Sequence, residues 1–199
     1  MSPLLRISNN DSGVRKFQKT VYNRLIGIFG DDNLRYEWDV SKESRDALNR
    51  NFYPDGELYC PRLDIAVGGF NINREIENDV RSINMAAETN IGFLSRLWNN
   101  SELRMGTFDS FMRNRNSNPR CLLAIEIENS GSSKHMIGNI ANTSIIGSIG
   151  VVIPFNDEKL KLCRRIKNYI QLVTRVGKIE KVFENVLIIS KEKFLRCVT

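Results

Sequence analysis

The chain has 199 residues, 41% hydrophobic and 26% charged, with five prolines; this is enough to bury one sizeable core and calls for no second domain. No run of roughly 18 apolar residues is present to span a membrane, and the opening M-S-P-L-L-R-I-S is too short in apolar length for a signal peptide, so a cytoplasmic protein with no membrane partner is expected. The four cysteines, Cys60, Cys121, Cys163 and Cys197, are too scattered for a zinc knuckle or a disulfide framework and read as small buried hydrophobes.

The net charge of +6 is unevenly placed. Residues 1–133 carry 17 Lys and Arg against 18 Asp and Glu, whereas residues 134–199 carry 12 against 5. A basic C-terminal third favours a polyanionic partner, its rival being a solvated face with no partner at all.

In chain order, Val14, Phe17, Val21, Leu25 and Ile28 recur at helical spacing, with Asp11 or Ser12 as N-cap and Gly30 as the stop, which predicts an amphipathic helix over 14–29. Leu34 to Val40 reads as a short strand. The polar segment Ser41 to Asn51 reads as a helical turn; Glu37, Glu43 and Asp46 fall in these two segments. Next comes Y-C-P-R-L-D-I-A-V-G-G-F, residues 59–70, a strand in which Leu63, Ile65 and Val67 alternate with Arg62, Asp64 and Ala66, so Asp64 lies on the face opposite the apolar residues. Residues 71–119 read as an insertion. It holds a helix near Arg74 to Ala87, an apolar patch from Ile91 to Trp98, and a loop whose Arg113 and Arg115, with Arg120 just after it, suit a nucleic-acid backbone or simply solvent.

Cys121 to Asn129, C-L-L-A-I-E-I-E-N, is the stretch around which the rest is arranged. As a strand it turns Leu123, Ile125 and Ile127 one way and Ala124, Glu126 and Glu128 the other. Two like charges on one face of an apolar strand cost stability unless a cation lies between them, and a bound metal ion is the natural candidate. The rival arrangement is an edge strand with both acids in water and Asp64 paired to Arg62 or Arg120. After a Ser-Gly-Ser-Ser turn, a helix runs from Lys134 to Ile146 with Ile137, Ile140, Ala141 and Ile145 inward. The β-branched run 148–154 then completes a strand, helix, strand unit of parallel type. A long helix opens at Asp157-Glu158, with Leu162, Ile166, Ile170, Val173 and Val176 inward and Lys161, Arg164, Arg165 and Arg175 outward, closing at Gly177. Asn185 to Ser190 is a last buried strand and Lys191 to Val198 a short terminal helix.

The order predicts a mixed α/β sheet flanked by helices. Within it, P61-R-L-D64 followed by I125-E126-I127-E128 resembles the PD-(D/E)xK nuclease superfamily, the restriction-endonuclease-like fold, over roughly residues 14–155. The usual lysine two positions after the second acid is here Glu128, and E126-I-E128-N-S-G-S-S-K-H135 is similar to the Glu-x-Glu variant of the BamHI-type enzymes. The resemblance implies a single nuclease-like domain over 1–199, with Asp64 and Glu126 as ligands of Mg²⁺ or Mn²⁺ and Glu128 as the group that positions or deprotonates water. Phosphodiester hydrolysis needs charge neutralised on the phosphate and an activated water, which an oxygen-ligated divalent ion supplies. Lys134, at a helix start, is the candidate to stand in for the missing lysine, ahead of the lone His135. The expected activity is that of a Mg²⁺-dependent DNA endonuclease of type II restriction-like character. Double-strand cleavage by one set of acids per chain further implies a homodimer. The alternative is a nucleic-acid-binding module that keeps the fold without the chemistry.

Overall fold

The computed structural model describes residues 4–39, 61–70, 76–104, 106–178 and 183–199, with only the backbone for 76–79. Helix α1 (Gly13–Phe29) begins where the Ser12 hydroxyl accepts from the Arg15 N–H at 3.2 Å. It ends at Gly30, whose φ of 76° would strain any residue with a Cβ. Asp11, the other candidate cap, instead takes the Ser8 N–H and the Lys19 ammonium, each at 2.8 Å. Strands β1 (Leu34–Asp39) and β2 (Arg62–Phe70) follow, then α2 (Ile76–Thr89), α3 (Ile91–Asn100) and α4 (Phe108–Arg113). The chain continues through β3 (Cys121–Glu128), α5 (Ser133–Ile146), β4 (Gly147–Pro154), α6 (Asp157–Arg175), β5 (Val186–Ile188) and α7 (Lys191–Cys197).

The five strands form one mixed sheet in the order β1-β2-β3-β4-β5. The first two pairings are antiparallel and the last two parallel, so the crossover through α5 is of the kind the sequence predicts. β3 is the middle strand and all eight of its residues are buried, which disposes of the solvent-edge arrangement for Glu126 and Glu128. Helices cover both faces. Leu123, Ile125 and Ile127 join Ile65, Val67, Ile149 and Val151 in a large core against α1, α2, α3 and α7. Val152, Val186 and Ile188 pack on the other face against Met136 and Ile140 of α5 and Leu160, Cys163 and Ile166 of α6. Leu63 departs from the alternation expected of it, packing with Trp38, Ala66 and Ala124 in a smaller cluster.

Residues 71–119, read as an insertion, contribute Ile83, Ala87, Phe93, Leu94, Leu97 and Phe111 to the large core. These side chains are structural parts of the sheet's cover. The inward face of α5 is Met136, Ile140, Thr143 and Ile146. Ile137 and Ile145, expected inside, are 41% and 67% exposed. The face is chosen by β4: a Cβ on Gly150 would stand 2.9 Å from the Thr143 hydroxyl, so only a glycine lets that side of α5 lie so close. On α6 the inward residues begin with Lys159 and Leu160 and continue through Cys163 and Ile166. Val176, expected inside, is 57% exposed beyond the last turn, and Leu172 and Tyr169 are exposed too. Arg164, expected to face solvent, reaches Glu102 at 2.6 Å, and Lys193 of α7 meets the same carboxylate at 2.7 Å. Burial raises the Glu102 carboxyl, but these two cations outweigh it and hold the group below its ordinary value. Cys121, Cys163 and Cys197 are buried, as expected of small hydrophobes. Cys60, Glu43 and Asp46 lie outside the described residues.

Candidate active site at the end of the central strand

The cross-strand register places Asp64 one step beyond the pair Ile65↔Ile125, directly opposite Glu126. Here the Asp64 side chain takes over from the backbone ladder. Its Oδ2 accepts from the Ile127 N–H at 2.7 Å and its Oδ1 from the Gln18 side-chain amide of α1 at 2.8 Å. Both bonds favour the carboxylate, yet burial outweighs them and raises Asp64, with the charge of Glu37 pushing the same way. Arg62 is not its partner: the guanidinium pairs with Glu37.

Glu126 is 7% exposed, and its carboxyl is pushed up to about 9, first by burial and then by the charges of Asp64 and Glu128. The two groups titrate against each other: the neighbouring Asp64 raises Glu126 further, while the neighbouring Glu126 lowers Asp64. Neighbouring carboxyls that cannot both ionise are coupled in this way. Glu128 is 1% exposed and differently engaged. One of its oxygens accepts from the Ser130 N–H and the other from the Asn139 amide of α5 at 2.9 Å. Its hydrogen bonds therefore fix the turn after β3 and dock that turn on α5.

Glu37 joins this group from β1, its backbone in the left-handed region at φ 47°, a conformation that costs a residue with a side chain about 1–3 kcal/mol. Its charge adds to the burial that raises Asp64; Glu43 and Asp46, the other acids the sequence offered, lie outside the described residues. Lys134 opens the first turn of α5 exposed to solvent, as does His135. Lys159, the first inward residue of α6, is instead 8% exposed. Its ammonium lies 3.0 Å from Glu158 and 3.8 Å from the position a Cβ on Gly131 would take, beside the turn that Glu128 holds. Gln18 and Lys159 are the polar side chains near the acids that the sequence did not single out. The only signal for Lys159 was its place one position before Leu160 on the inward stripe. Arg113 and Arg115 follow the α4 helix away from these residues, and Arg115 Nε caps the Met112 carbonyl at 2.9 Å.

Asp64 and Glu126 are the residues here that could hold a hard divalent cation: their donors are all oxygen, and Mg²⁺ takes one or two protein carboxylates and fills the rest of its shell with water and phosphate. Among the described residues no three metal-binding side chains converge, so Glu128 and Glu37 act on the pair by their charge and by the groups they hold. No family model matches the chain, and neither a curated protein nor a solved structure matches it.

Proposed function

We propose that the chain is a metal-dependent DNA endonuclease of restriction-like type. The observation that carries this reading is the facing of two carboxyls, half-buried Asp64 and buried Glu126, on adjacent strands of the sheet, where burial raises both. Such a pair is costly to the fold and has a use where a cation replaces the proton. Asp64 and Glu126 would hold Mg²⁺ or Mn²⁺, which when bound offsets charge on a phosphate and makes a water acidic. The remaining tasks fall to the chain. Gln18 and the Ile127 N–H keep the Asp64 oxygens aimed, Glu128 fixes the Ser130 turn, and Lys159 brings a buried positive charge beside that turn. Lys134 at the start of α5 remains available to a bound phosphate backbone from the solvent side.

Supercoiled plasmid, linear DNA and RNA, each incubated with the full chain with and without Mg²⁺, test the reading. Metal-dependent cleavage of DNA that disappears in Glu126→Gln supports it; intact plasmid across metals and pH ends it. The second reading, a DNA-binding module without chemistry, draws on the exposure of Lys134 and on the absence of a three-ligand cluster among the described residues. It predicts plasmid retention that weakens steeply with salt and no nicking under any metal.

Cutting both strands would take two copies. For the dimer, α6 is the favoured surface, because Tyr169, Leu172 and Val176 form an exposed stripe at spacings of three and four residues. The apolar residues Phe93, Leu94 and Leu97 of the 71–119 segment lie in the core. Light scattering of the chain and of Leu172→Glu measures this: a monomeric parent, with and without DNA, contradicts the dimer.

A further inference from the structure

A cavity of about 550 Å³ lies on the β5 side of the sheet between α4, α6 and β5, and none of the acids of the candidate active site lines it. Its size is that of a small-molecule site, which typically spans roughly 300–1,000 Å³. Much of the wall is apolar, including Phe111, Ile140, Ile170 and Leu187. The polar groups on it are unbalanced. Among the described residues, Arg104, Lys167 and Arg175 line it against one acid, Glu184, whose carboxylate already accepts from the Asn114 amide at 2.8 Å.

Two of the polar side chains carry the argument further. The Lys167 ammonium donates to the Val186 carbonyl at 2.9 Å, and no ion pair to it is found among the described residues. Desolvation with nothing to offset it pushes this amine down to about 8. One helical turn on, the Gln171 side-chain nitrogen is buried with no hydrogen-bond partner among the described residues. Both groups are donors. A buried donor left unpaired costs about 1–3 kcal/mol, so a ligand that brings an acceptor here gains what the empty fold lacks.

We infer that this cavity binds a small amphiphilic carboxylate, its apolar body against Phe111, Ile140, Ile170 and Leu187 and its head group on Lys167 and Gln171. The carboxylate supplies the negative charge that Lys167 lacks and the acceptor that Gln171 lacks, while the apolar wall rejects a small inorganic anion for want of contact. The inference is independent of the nuclease reading, since it uses no residue of that site.

Calorimetric titration of the full chain with decanoate, decanol and decyltrimethylammonium, each below its aggregation threshold, tests it. Decanoate is expected to bind with a Kd on the order of 10–100 μM, at least tenfold tighter than decanol, and the cation not at all. Lys167→Met and Gln171→Leu each remove the preference for decanoate over decanol, whereas Glu126→Gln leaves it unchanged. Equal affinity for decanoate and decanol, no binding of either, or an unaltered preference in both cavity variants overturns the assignment. Lys167→Met trades a desolvated cation for an apolar chain of similar length and is expected to fold; should it not, Gln171→Leu carries the test alone.

Discussion

Gln18 reaches across 46 residues of sequence to donate to Asp64 Oδ1 at 2.8 Å, so the first helix, whose buried stripe packs on the sheet, also contributes a bond that favours the ionised form of an acid of the candidate site. A hydrogen bond to the charged form lowers a carboxyl's pKa, and its loss raises it. In Gln18→Leu the Asp64 carboxyl is therefore expected to rise further. The acidic limb of the cleavage pH profile should then move to higher pH, at a stability loss of about 1–3 kcal/mol. Rate measurements between pH 5 and 9 check this; an unmoved limb would reduce Gln18 to a packing residue. Asp64→Ala orphans both donors, Gln18 and the Ile127 N–H, so the relief of repulsion is offset and a net loss of stability is expected.

Glu126 has the opposite balance. In the folded chain its proton leaves near 9, against 4.5 for the unperturbed group. Between those values the unfolded chain gains by ionising and the folded chain does not, so this residue's contribution to stability falls as pH rises through that window. Glu126→Gln keeps a donor facing Asp64 and removes the titration. Denaturant unfolding should show the variant more stable than the parent by on the order of a few kcal/mol at pH 8 and no different at pH 4. Equal midpoints at pH 8 would contradict a buried proton at this position. Mg²⁺ should stabilise the parent and not the variant, by an increment that grows with pH as the competing proton weakens.

For the positive charge of the site, Lys159 and Lys134 make different predictions. Lys159→Met is expected to slow cleavage by about 10²-fold, the usual cost of losing one preorganised electrostatic partner. Lys134→Met, on the exposed first turn of α5, should stay within a few fold at moderate salt. Circular dichroism and thermal melting establish that both variants fold. The reverse ranking would hand the role to Lys134.

The inward face of α5 gives a stability test. Met136→Ala should cost about 2–5 kcal/mol and Ile145→Ala about 0.5 kcal/mol or less, as for a core and a surface position. Chemical denaturation of the two variants reads the difference directly. Comparable losses would mean that the helix is rotated from the orientation described.

These cases mark what was legible in the residues. Helix α1 could be read because its apolar residues keep a single period between a serine cap and a glycine stop. The inward face of α5 could not, because Met136, Ile137, Ile140, Ile145 and Ile146 surround the helix, and its orientation depends on a glycine in the next strand that accepts Thr143. Asp64 and Glu126 stood out as acids inside apolar strands. Gln18 did not, because a neutral amide on a helix carries no mark until the strand it faces is known. Lys159 was passed over for a related reason: helical patterning assigns a lysine to solvent, and only packing shows one turned inward. Glu128 was visible as a charge, but its service to Ser130 and Asn139 belongs to the turn and to α5.

Among the described residues the sheet's strand order follows chain order, each strand hydrogen-bonded to the one before it. A chain emerging from the ribosome thus has no open slot to hold between two of these strands for a later one of them to enter. The sheet grows along one edge, and the entropic cost of each addition is the closure of a single connecting segment. The acids on β2 and β3 meet early in that growth, before the strongly basic last third has been synthesised. On this order the carboxyl pair is assembled first, and the cationic helix α6 with its Lys159 is laid against it afterwards.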